Sequence, residues 1–304
     1  MAYGAPQASR ETPIDTLKKD LPHILVLIGL LLILLVVLTR FKWIHCTQVL
    51  KIGPINLPTN WCSFYCENLH GSKSSVAIVS GDGGMGDPAA LARRIQQERF
   101  YTVPVQISMS EAAYGTLKGY DLVIVERARR ITPPQANAIL TYLAQGGTVL
   151  WIGDSGTEYY YTQEDTAEAL RLNQTIPFYY EDFIDQLNVT RAVGFGMLAS
   201  SLGVKYNSTV NQTSGMTLEK VDRNNLMVAD LVDIINMPPV PFTSVSVNPT
   251  VASTVSRLRI GTETYPALVE MRNPRLSAVY VAFPLEQSPS KALIANMLDY
   301  MVLC

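Results

Sequence analysis

Residues 119–156 read GYDLVIVERARRITPPQANAILTYLAQGGTVLWIGDSG, with two short apolar runs around a helix-like segment. The runs 121–125 (DLVIV) and 148–152 (TVLWI) are continuous and β-branched, as buried parallel strands are. Between them, residues 132–134 (TPP) start a helix and the glycines at 146–147 end it. This strand–helix–strand unit predicts an α/β fold with a doubly wound, mainly parallel sheet.

The same alternation continues on both sides of this unit. After residues 75–80 (SVAIVS), a predicted strand, Asp87 and Pro88 form a strong helix start, with a carboxylate cap ahead of a proline. The helix that they start is expected to run to about residue 99. Further predicted strands cover 102–107, 244–247, 255–260, 267–271 and 278–283, and further predicted helices cover 195–202, 228–235 and 290–303.

Residues 119–156 are similar to the third strand, helix and fourth strand of the class I glutamine amidotransferase-like superfamily. The tail 265–301 (YPALVEMRNPRLSAVYVAFPLEQSPSKALIANMLDYM) resembles the closing strand and helix of its non-catalytic members, and 194–204 (GFGMLASSLGV) resembles an intervening helix. The resemblance spans 74–304 and implies a flavodoxin-like three-layer sandwich, with an irregular insertion at about 157–242. It also implies a membrane-anchored binding or assembly module.

Active members of that superfamily carry a Cys nucleophile on a tight turn after a strand, with His and Glu partners. The matching turn here is 153–156 (GDSG), which offers Asp154 or Ser155 and no Cys. A Cys-His or Ser-His-Asp relay also needs an imidazole base, and residues 74–304 contain no His. We therefore expect no enzymatic activity. The histidines of the chain are His23, His45 and His70.

A glycine-rich turn at 81–86 (GDGGMG) has the G-x-G-x-x-G spacing of dinucleotide-binding loops, between a predicted strand and a predicted helix. However, Asp87 places a carboxylate where a pyrophosphate would lie, and no acidic residue ends the second strand. We favour a structural turn and expect no cofactor, with nucleotide binding as the alternative. The possible ligand loop comprises Gly81, Asp82, Gly83, Gly84, Gly86, Asp154 and Ser155.

Three acidic residues follow predicted strands: Asp82, Glu126 and Asp154. Because the carboxyl ends of parallel strands converge at one edge, these carboxylates could hold Mg²⁺ or Ca²⁺ through oxygen ligands. Solvated loop acids are the favoured interpretation, and no metal is expected.

Aromatic residues follow the same edge of the predicted sheet. Such clusters suit protein interfaces or glycan stacking, and packing of an irregular insertion onto the sheet is an equal alternative. The candidates are Tyr159, Tyr160, Tyr161, Phe178, Tyr179 and Tyr180.

Residues 21–39 (LPHILVLIGLLLILLVVLT) contain no acidic or basic side chain other than His23, and they are long enough to span a membrane as a helix. A cleaved signal peptide would have a shorter apolar run that ends in small residues, whereas residues 40–43 read RFKW. The sequence therefore predicts an uncleaved signal anchor at 21–39, after a tail at 1–20 and before a connector at 40–73.

Basic residues lie on both sides of this anchor, so the positive-inside rule does not orient it. Cysteines just beyond the anchor suit an oxidising compartment, and four N-x-S/T sequons share one stretch of the domain. We therefore expect a cytoplasmic N-terminus and an extracytoplasmic C-terminal domain, with incidental sequons as the alternative. The sequon residues are Asn173, Asn188, Asn207 and Asn211, and the cysteines are Cys46, Cys62, Cys66 and Cys304.

The resemblance also implies a disulfide arrangement. In the implied fold the closing helix packs beside the first strand, which brings Cys304 near the start of the domain. We expect Cys304 to pair with Cys62 or Cys66, with a local Cys62–Cys66 pair as the alternative. Free thiols would instead favour a cytoplasmic domain.

The composition gives no case for nucleic-acid binding, because only 16% of residues are charged and the net charge is −2. We expect a non-enzymatic, single-pass cell-membrane protein that serves as a binding, scaffold or accessory subunit. Its expected partners are other membrane or cell-envelope proteins, and its surface is expected to carry N-glycans. The alternative is a receptor for a nucleotide, metal or glycan, or a divergent enzyme that uses the carboxyl edge of the sheet.

Overall fold

Helix α1 (Pro13–Arg40) opens the chain and contains an apolar stretch, Leu21–Leu38, of mean hydropathy 3.1. None of this stretch is buried, and by length and composition it can cross a membrane. Strands β1 (Lys51–Ile52) and β2 (Ile55–Asn56) form a small antiparallel ribbon. The computed structural model describes residues 13–40, 51–52, 55–56, 74–98, 102–171, 180–184, 188–272 and 277–302.

Five parallel strands form one half of a nine-stranded sheet. They lie in the spatial order 2-1-3-4-5 of flavodoxin-like folds. The predicted strands at 75–80, 121–125, 148–152 and 278–283 are confirmed, and the predicted strand at 102–107 begins later, just after Pro104, which lacks a backbone N–H. In chain order these strands are β3 (Val76–Ser80), β4 (Val105–Ser108), β5 (Leu122–Val125), β7 (Thr148–Ile152) and β17 (Ser277–Val281).

Four antiparallel strands extend this sheet beyond β17, so the flavodoxin-like prediction describes only its parallel half. They follow β17 in the order β16 (Glu263–Met271), β15 (Ala252–Ile260), β12 (Met216–Lys220) and β13 (Ile234–Met237). Strands β15 and β16 are joined by a tight turn in which Gly261 has a φ of +58°. Such hairpins require no crossover helix, so the sheet grows through local connections.

Helices cover both faces of the parallel half. Alternate strand residues such as Val79 pack towards one face, and their neighbours such as Ile78 pack towards the other. Asp87 caps the first of these helices as predicted, because its Oδ1 accepts hydrogen bonds from the amides of Ala89 and Ala90 at 3.0 and 3.1 Å. The helices are α2 (Pro88–Glu98), α3 (Tyr114–Leu117), α4 (Pro133–Ala144), α5 (Gln163–Arg171), α6 (Ala199–Leu202) and α7 (Lys291–Met301).

The stretch 157–242 is more regular than its sequence indicated. Besides β12 and β13, it contributes to a four-stranded sheet in the order β6-β8-β10-β9 and to a ribbon of β11 with β14. These strands are β6 (Arg130–Ile131), β8 (Glu158–Tyr161), β9 (Tyr180–Ile184), β10 (Val189–Val193), β11 (Val204–Val210) and β14 (Phe242–Val247).

The predicted helix at 228–235 is wrong. Residues 226–230 form turns, and Ile234 already belongs to the edge strand β13, paired antiparallel with β12. Apolar residues at Val228, Leu231 and Ile235 have helical spacing, but in this fold pairing with β12 satisfies the backbone instead. The predicted helix at 195–202 is present as a 3₁₀ turn, Gly196–Leu198, that continues into α6.

Gly203 and Gly261 both have a left-handed backbone, but only Gly203 is crowded by neighbouring atoms. Gly203 ends α6 at a φ of +68°, and a Cβ there would lie 2.4 Å from the Cβ of Ala252. Gly261 has a similar φ of +58°, but a Cβ there would meet nothing within 4 Å. The two positions therefore differ mainly in the space around them.

We predict that Gly261→Ala lowers the free energy of unfolding by about 1 kcal/mol, the cost of a left-handed alanine. Gly203→Ala should cost about 2 kcal/mol more, because Ala252 must move. Chemical denaturation of the full-length chain in detergent measures both values. Equal losses would contradict the crowding at Gly203.

Candidate functional site at the carboxyl edge of the sheet

The loops that follow β3, β5, β7 and β17 meet at one edge of the sheet. Because strands β3 and β5 are neighbours whose next strands lead in opposite directions, this edge contains the switch point at which α/β folds bind ligands. The loop after β3 is glycine-rich, and its Gly81 amide donates to the carbonyl of Arg127 at 3.2 Å. Carboxylates from three of the strand ends surround this loop.

The turn after β7 carries Asp154, one of the two residues that the sequence resemblance predicts at a nucleophile position. Asp154 is fully buried, and both of its oxygens accept hydrogen bonds. Oδ1 accepts from the amide of Met85 at 2.9 Å, and Oδ2 accepts from Nε of Arg129 at 2.6 Å. A second guanidinium nitrogen of Arg129 completes an ion pair with the same carboxylate. Asp154 is therefore a structural tie between three loops.

Ser155, the other residue at the nucleophile position, is also fully buried. Its Oγ accepts from the amide of Ala128 at 3.3 Å, and its carbonyl accepts from Nε1 of Trp151 at 2.6 Å. The hydroxyl thus stabilises the neighbouring loop and is not presented to solvent.

The glycine-rich loop adopts a conformation that needs its glycines. Gly83, Gly84 and Gly86 have φ values of +73°, +106° and +101°, which side chains other than glycine rarely adopt. A Cβ at Gly84 would also lie 3.0 Å from Oδ1 of Asp154. The loop is therefore packed directly on the buried carboxylate.

The amide groups that a nucleotide phosphate would need are already bonded to carboxylates of this chain. Asp154 takes the amide of Met85, and Oε1 of Glu286 takes the amide of Asp87 at 3.0 Å. Asp87 itself takes the first free amides of α2. A phosphate would have to displace these carboxylates, so the geometry supports the structural interpretation of the turn.

Beneath Gly86 lies Glu126, which is fully buried at the end of β5. A Cβ at Gly86 would be 2.6 Å from Oε1 of Glu126, so the loop rests on this carboxyl group. Burial raises the pKa of Glu126 well above its ordinary value, and the neighbouring carboxylates of Glu286 and Asp87 raise it further, whereas Arg127 lowers it. Glu126 is therefore a neutral carboxylic acid near pH 7.

The cation-site candidates do not gather into one cluster. Asp82 is exposed, Glu126 is buried under Gly86, and Asp154 is bonded to Arg129 and Met85. Across the described ranges between residues 13 and 302, no group of three His, Cys, Asp or Glu is arranged to hold a metal ion.

A cleft of about 340 Å³ opens beside the glycine-rich loop. Its walls combine hydroxyl groups, one carboxylate, one guanidinium group and an aromatic ring, over an apolar floor of Met109 and Ile131. Arg130 lies over the ring of Tyr160, with its Cζ 5.8 Å from the ring centroid. The lining residues are Gly81, Asp82, Ser108, Met109, Ser110, Arg130, Ile131, Thr132, Gln135 and Tyr160.

Of the predicted aromatic residues, two lie in the hydrophobic core and one lines the cleft. Tyr159 and Tyr161 are buried and stacked, with centroids 6.1 Å apart, so packing is the correct interpretation for both. Tyr160 is half-buried and lines the cleft. Tyr180 begins β9, and the remaining candidates, Phe178 and Tyr179, lie outside the described residues.

Three of the sequon asparagines, Asn188, Asn207 and Asn211, are exposed, as glycan acceptors must be. Asn188 has a φ of +50°, a left-handed conformation that asparagine tolerates. Several predicted residues lie outside the described part of the chain: Asn173, Cys46, Cys62, Cys66 and Cys304.

Sequence reasoning missed Arg129, Met85 and Glu286. Glu286 had a usable signal, because it follows the last parallel strand closely, as Glu126 and Asp154 follow theirs. Arg129 and Met85 contribute a side chain and a backbone amide to Asp154, and neither role leaves a pattern in the sequence.

Comparison with protein-family models gave no match, and comparison with curated protein sequences gave none either. Solved structures are similar. A ThuA-like protein from Bacteroides uniformis has a TM-score of 0.51 at 10% identity, over 76% of this chain and 93% of its own. A cold-adapted β-galactosidase from Rahnella sp. R3 has a TM-score of 0.52 at 16% identity, over 75% of this chain but only 31% of its own.

A GMP synthase component from Thermoplasma acidophilum has a TM-score of 0.44 at 9% identity, over 77% of this chain and 95% of its own. At such identities, the likeness to the ThuA-like protein and the β-galactosidase shows a shared α/β fold and nothing about activity.

We predict that Asp154→Asn lowers the free energy of unfolding by about 2 kcal/mol. The amide removes the charge that Arg129 faces, although water reaches Arg129 and recovers part of the loss. As a control, Asp182→Asn breaks a more exposed ion pair with Arg191 and should cost less than about 1 kcal/mol. Urea denaturation of the full-length chain compares the two variants, and similar losses would contradict a structural role for Asp154.

Proposed function

We propose that this chain is a non-enzymatic, membrane-anchored protein whose α/β domain serves as a binding or accessory subunit of a membrane or cell-envelope complex. The observation that carries the proposal is the turn at Asp154. Its buried carboxylate occupies the nucleophile position and has both oxygens bonded within the protein. The domain sequence also lacks the histidine that the resembled enzymes require.

The anchor supports the membrane part of the proposal. No residue of the stretch Leu21–Leu38 is buried, and most of its large apolar side chains are exposed, which is unfavourable in water. Insertion into a bilayer removes that cost, and the exposed sequon residues Asn207 and Asn211 fit a domain that faces away from the cytoplasm. We assign the chain to the cell membrane, with a cytoplasmic N-terminus and an extracytoplasmic C-terminal domain.

An apolar sheet edge supports the partner-binding part. Among the described residues outside α1, six large apolar side chains are exposed, and three of them lie together at the β13 edge. The pairing of β12 with β13 continues through the hydrogen bond from Lys220 to Asp233, which sets Val221 opposite Val232. Ile234 is two residues from Val232 and therefore shares its face. We call Val221, Val232 and Ile234 the edge patch.

The edge patch suits an extended strand from a partner protein. Strand β13 lies at the end of the sheet and carries no charged residue that would repel an added strand. The neighbouring Asp233 is engaged by Arg223 at 3.1 Å and Lys220 at 3.8 Å. A partner strand with apolar side chains would both satisfy the free backbone groups and cover the edge patch.

The second candidate function is ligand binding in the cleft, favoured by its 340 Å³ volume at the switch point of the sheet. Its mixed lining, with Asp82 and Arg130 on its walls, suits a polar ligand of low net charge. A small molecule that co-purifies with a lone chain would favour this receptor function over the accessory role.

We predict that the full-length chain, expressed in a host that performs N-glycosylation, keeps its anchor and carries glycans. Digestion with peptide N-glycosidase should increase its mobility, and mass spectrometry should recover the 21–38 peptide from the mature protein. Asn207→Gln and Asn211→Gln should each remove one glycan. An unglycosylated domain or a cleaved anchor would overturn the proposed topology.

We predict that Ile234→Asp reduces recovery of stoichiometric partners at least about tenfold after gentle detergent extraction, because it places a charge inside the apolar interface. Val103→Asp is the matched control, since Val103 is exposed and precedes β4, at the other end of the sheet. Quantitative mass spectrometry of co-purified proteins measures both. Equal recovery with the two variants would rule out the edge patch as the interface.

A further inference from the structure

Two buried carboxyl groups under the glycine-rich loop lack the partners that buried acids need. Neither oxygen of Glu126 has a hydrogen-bond partner among the described residues, and the same holds for Oε2 of Glu286. Oε1 of Glu286 holds the amide of Asp87 at 3.0 Å, at the end of the loop. The loop therefore rests on Glu126 through Gly86 and is tied to Glu286 through Asp87.

The two arginines near the pair, Arg94 and Arg127, offset the negative charge of Glu126 and Glu286 only weakly. Arg94 of α2 donates to the carbonyls of Glu286 and Ser288, at 3.1 and 2.7 Å, and not to a carboxylate. Arg127 favours the ionised form of Glu126, but burial and the carboxylates of Glu286 and Asp87 oppose it more strongly. Two charges in this space would repel each other, whereas one shared proton joins the two groups.

We propose that Glu126 and Glu286 form a proton-operated latch that holds the end of the glycine-rich loop, Gly86 and Asp87, when they share one proton and frees it when that proton leaves. In the proposed closed state a proton on Glu126 gives it a hydroxyl that donates to the unpartnered oxygen of Glu286, while the other oxygen of Glu286 accepts from the amide of Asp87. On opening, the proton goes to solvent and the two carboxylates separate. The latch is independent of the proposed accessory function.

The latch acts on the end of the loop, because Gly86 rests on Glu126 and the Asp87 amide is bonded to Glu286. The direction of the pH dependence follows from the raised pKa values of both groups. Their stabilising effect is complete in acid, below the ordinary pKa of glutamate, and is lost as pH rises through the raised value.

Hydrogen exchange of the full-length chain in detergent tests the latch, with protection of the peptide that spans residues 81–90 corrected for the intrinsic rate at each pH. Wild-type protection should fall at least about tenfold between about pH 5 and about pH 9. Glu126→Gln, a neutral isostere with a donor, should keep protection constant. Glu270→Gln is the control, because Glu270 is a half-buried acid on β16, hydrogen-bonded to Asn225, that should leave the wild-type fall unchanged.

Glu286→Gln provides a second variant if Glu126→Gln does not fold. Its amide oxygen can still accept from Asp87, and it also removes the second charge, so it should flatten the pH dependence as well. Constant wild-type protection across this pH range would overturn the latch. A fall that persists in either folded variant would overturn it equally.

Discussion

The buried carboxylate of Asp154 is the group on which the carboxyl edge of the sheet depends. It lies on the turn after β7, yet its two oxygens hold the amide of Met85 and the side chain of Arg129. A fully buried carboxylate is costly unless it is paired, so these loops must be in place together. One residue thus fixes the loops after β3, β5 and β7 relative to one another, and the cleft beside them takes its shape from that arrangement.

The same edge explains why the glycine-rich loop has the spacing of a nucleotide site and the contacts of a structural turn. The amides of Met85 and Asp87 are not free to bind an outside anion, because Asp154 and Glu286 already occupy them. Carboxylates of this chain therefore stand where phosphate oxygens would lie. These hydrogen bonds stabilise the loop without a ligand. A phosphate ligand would have to compete with Asp154 and Glu286, which are part of the chain.

Sequence reasoning predicted the parallel half of the fold well because four of its five strands are continuous apolar runs, and only the edge strand β4, which reads VQIS, is not. In the antiparallel extension it predicted strands at 255–260 and 267–271, which lie in β15 and β16, but it did not predict β12 or β13. Strand β13 is short and amphipathic, and 228–235 matches a helical period as well. At the site, Asp154 and Glu126 could be placed at the edge from their positions after strands. The roles of these two residues could not be predicted. They depend on contacts with Met85, Arg129 and Glu286, which are brought together only by the folding of the chain.

The parallel and antiparallel halves of the sheet expose different kinds of surface. Helices cover both faces of the parallel half, so its strands are buried and only helix surfaces and loops face outward. The antiparallel half is different, because β12 buries Leu218 on one face while Ile234, which pairs with Glu219, is exposed on the other. Its last strand also has unpaired backbone groups at the end of the sheet. The proposed partner surface therefore lies in the part of the fold that departs from the flavodoxin-like pattern, whereas the alternative ligand site lies in the part that follows it.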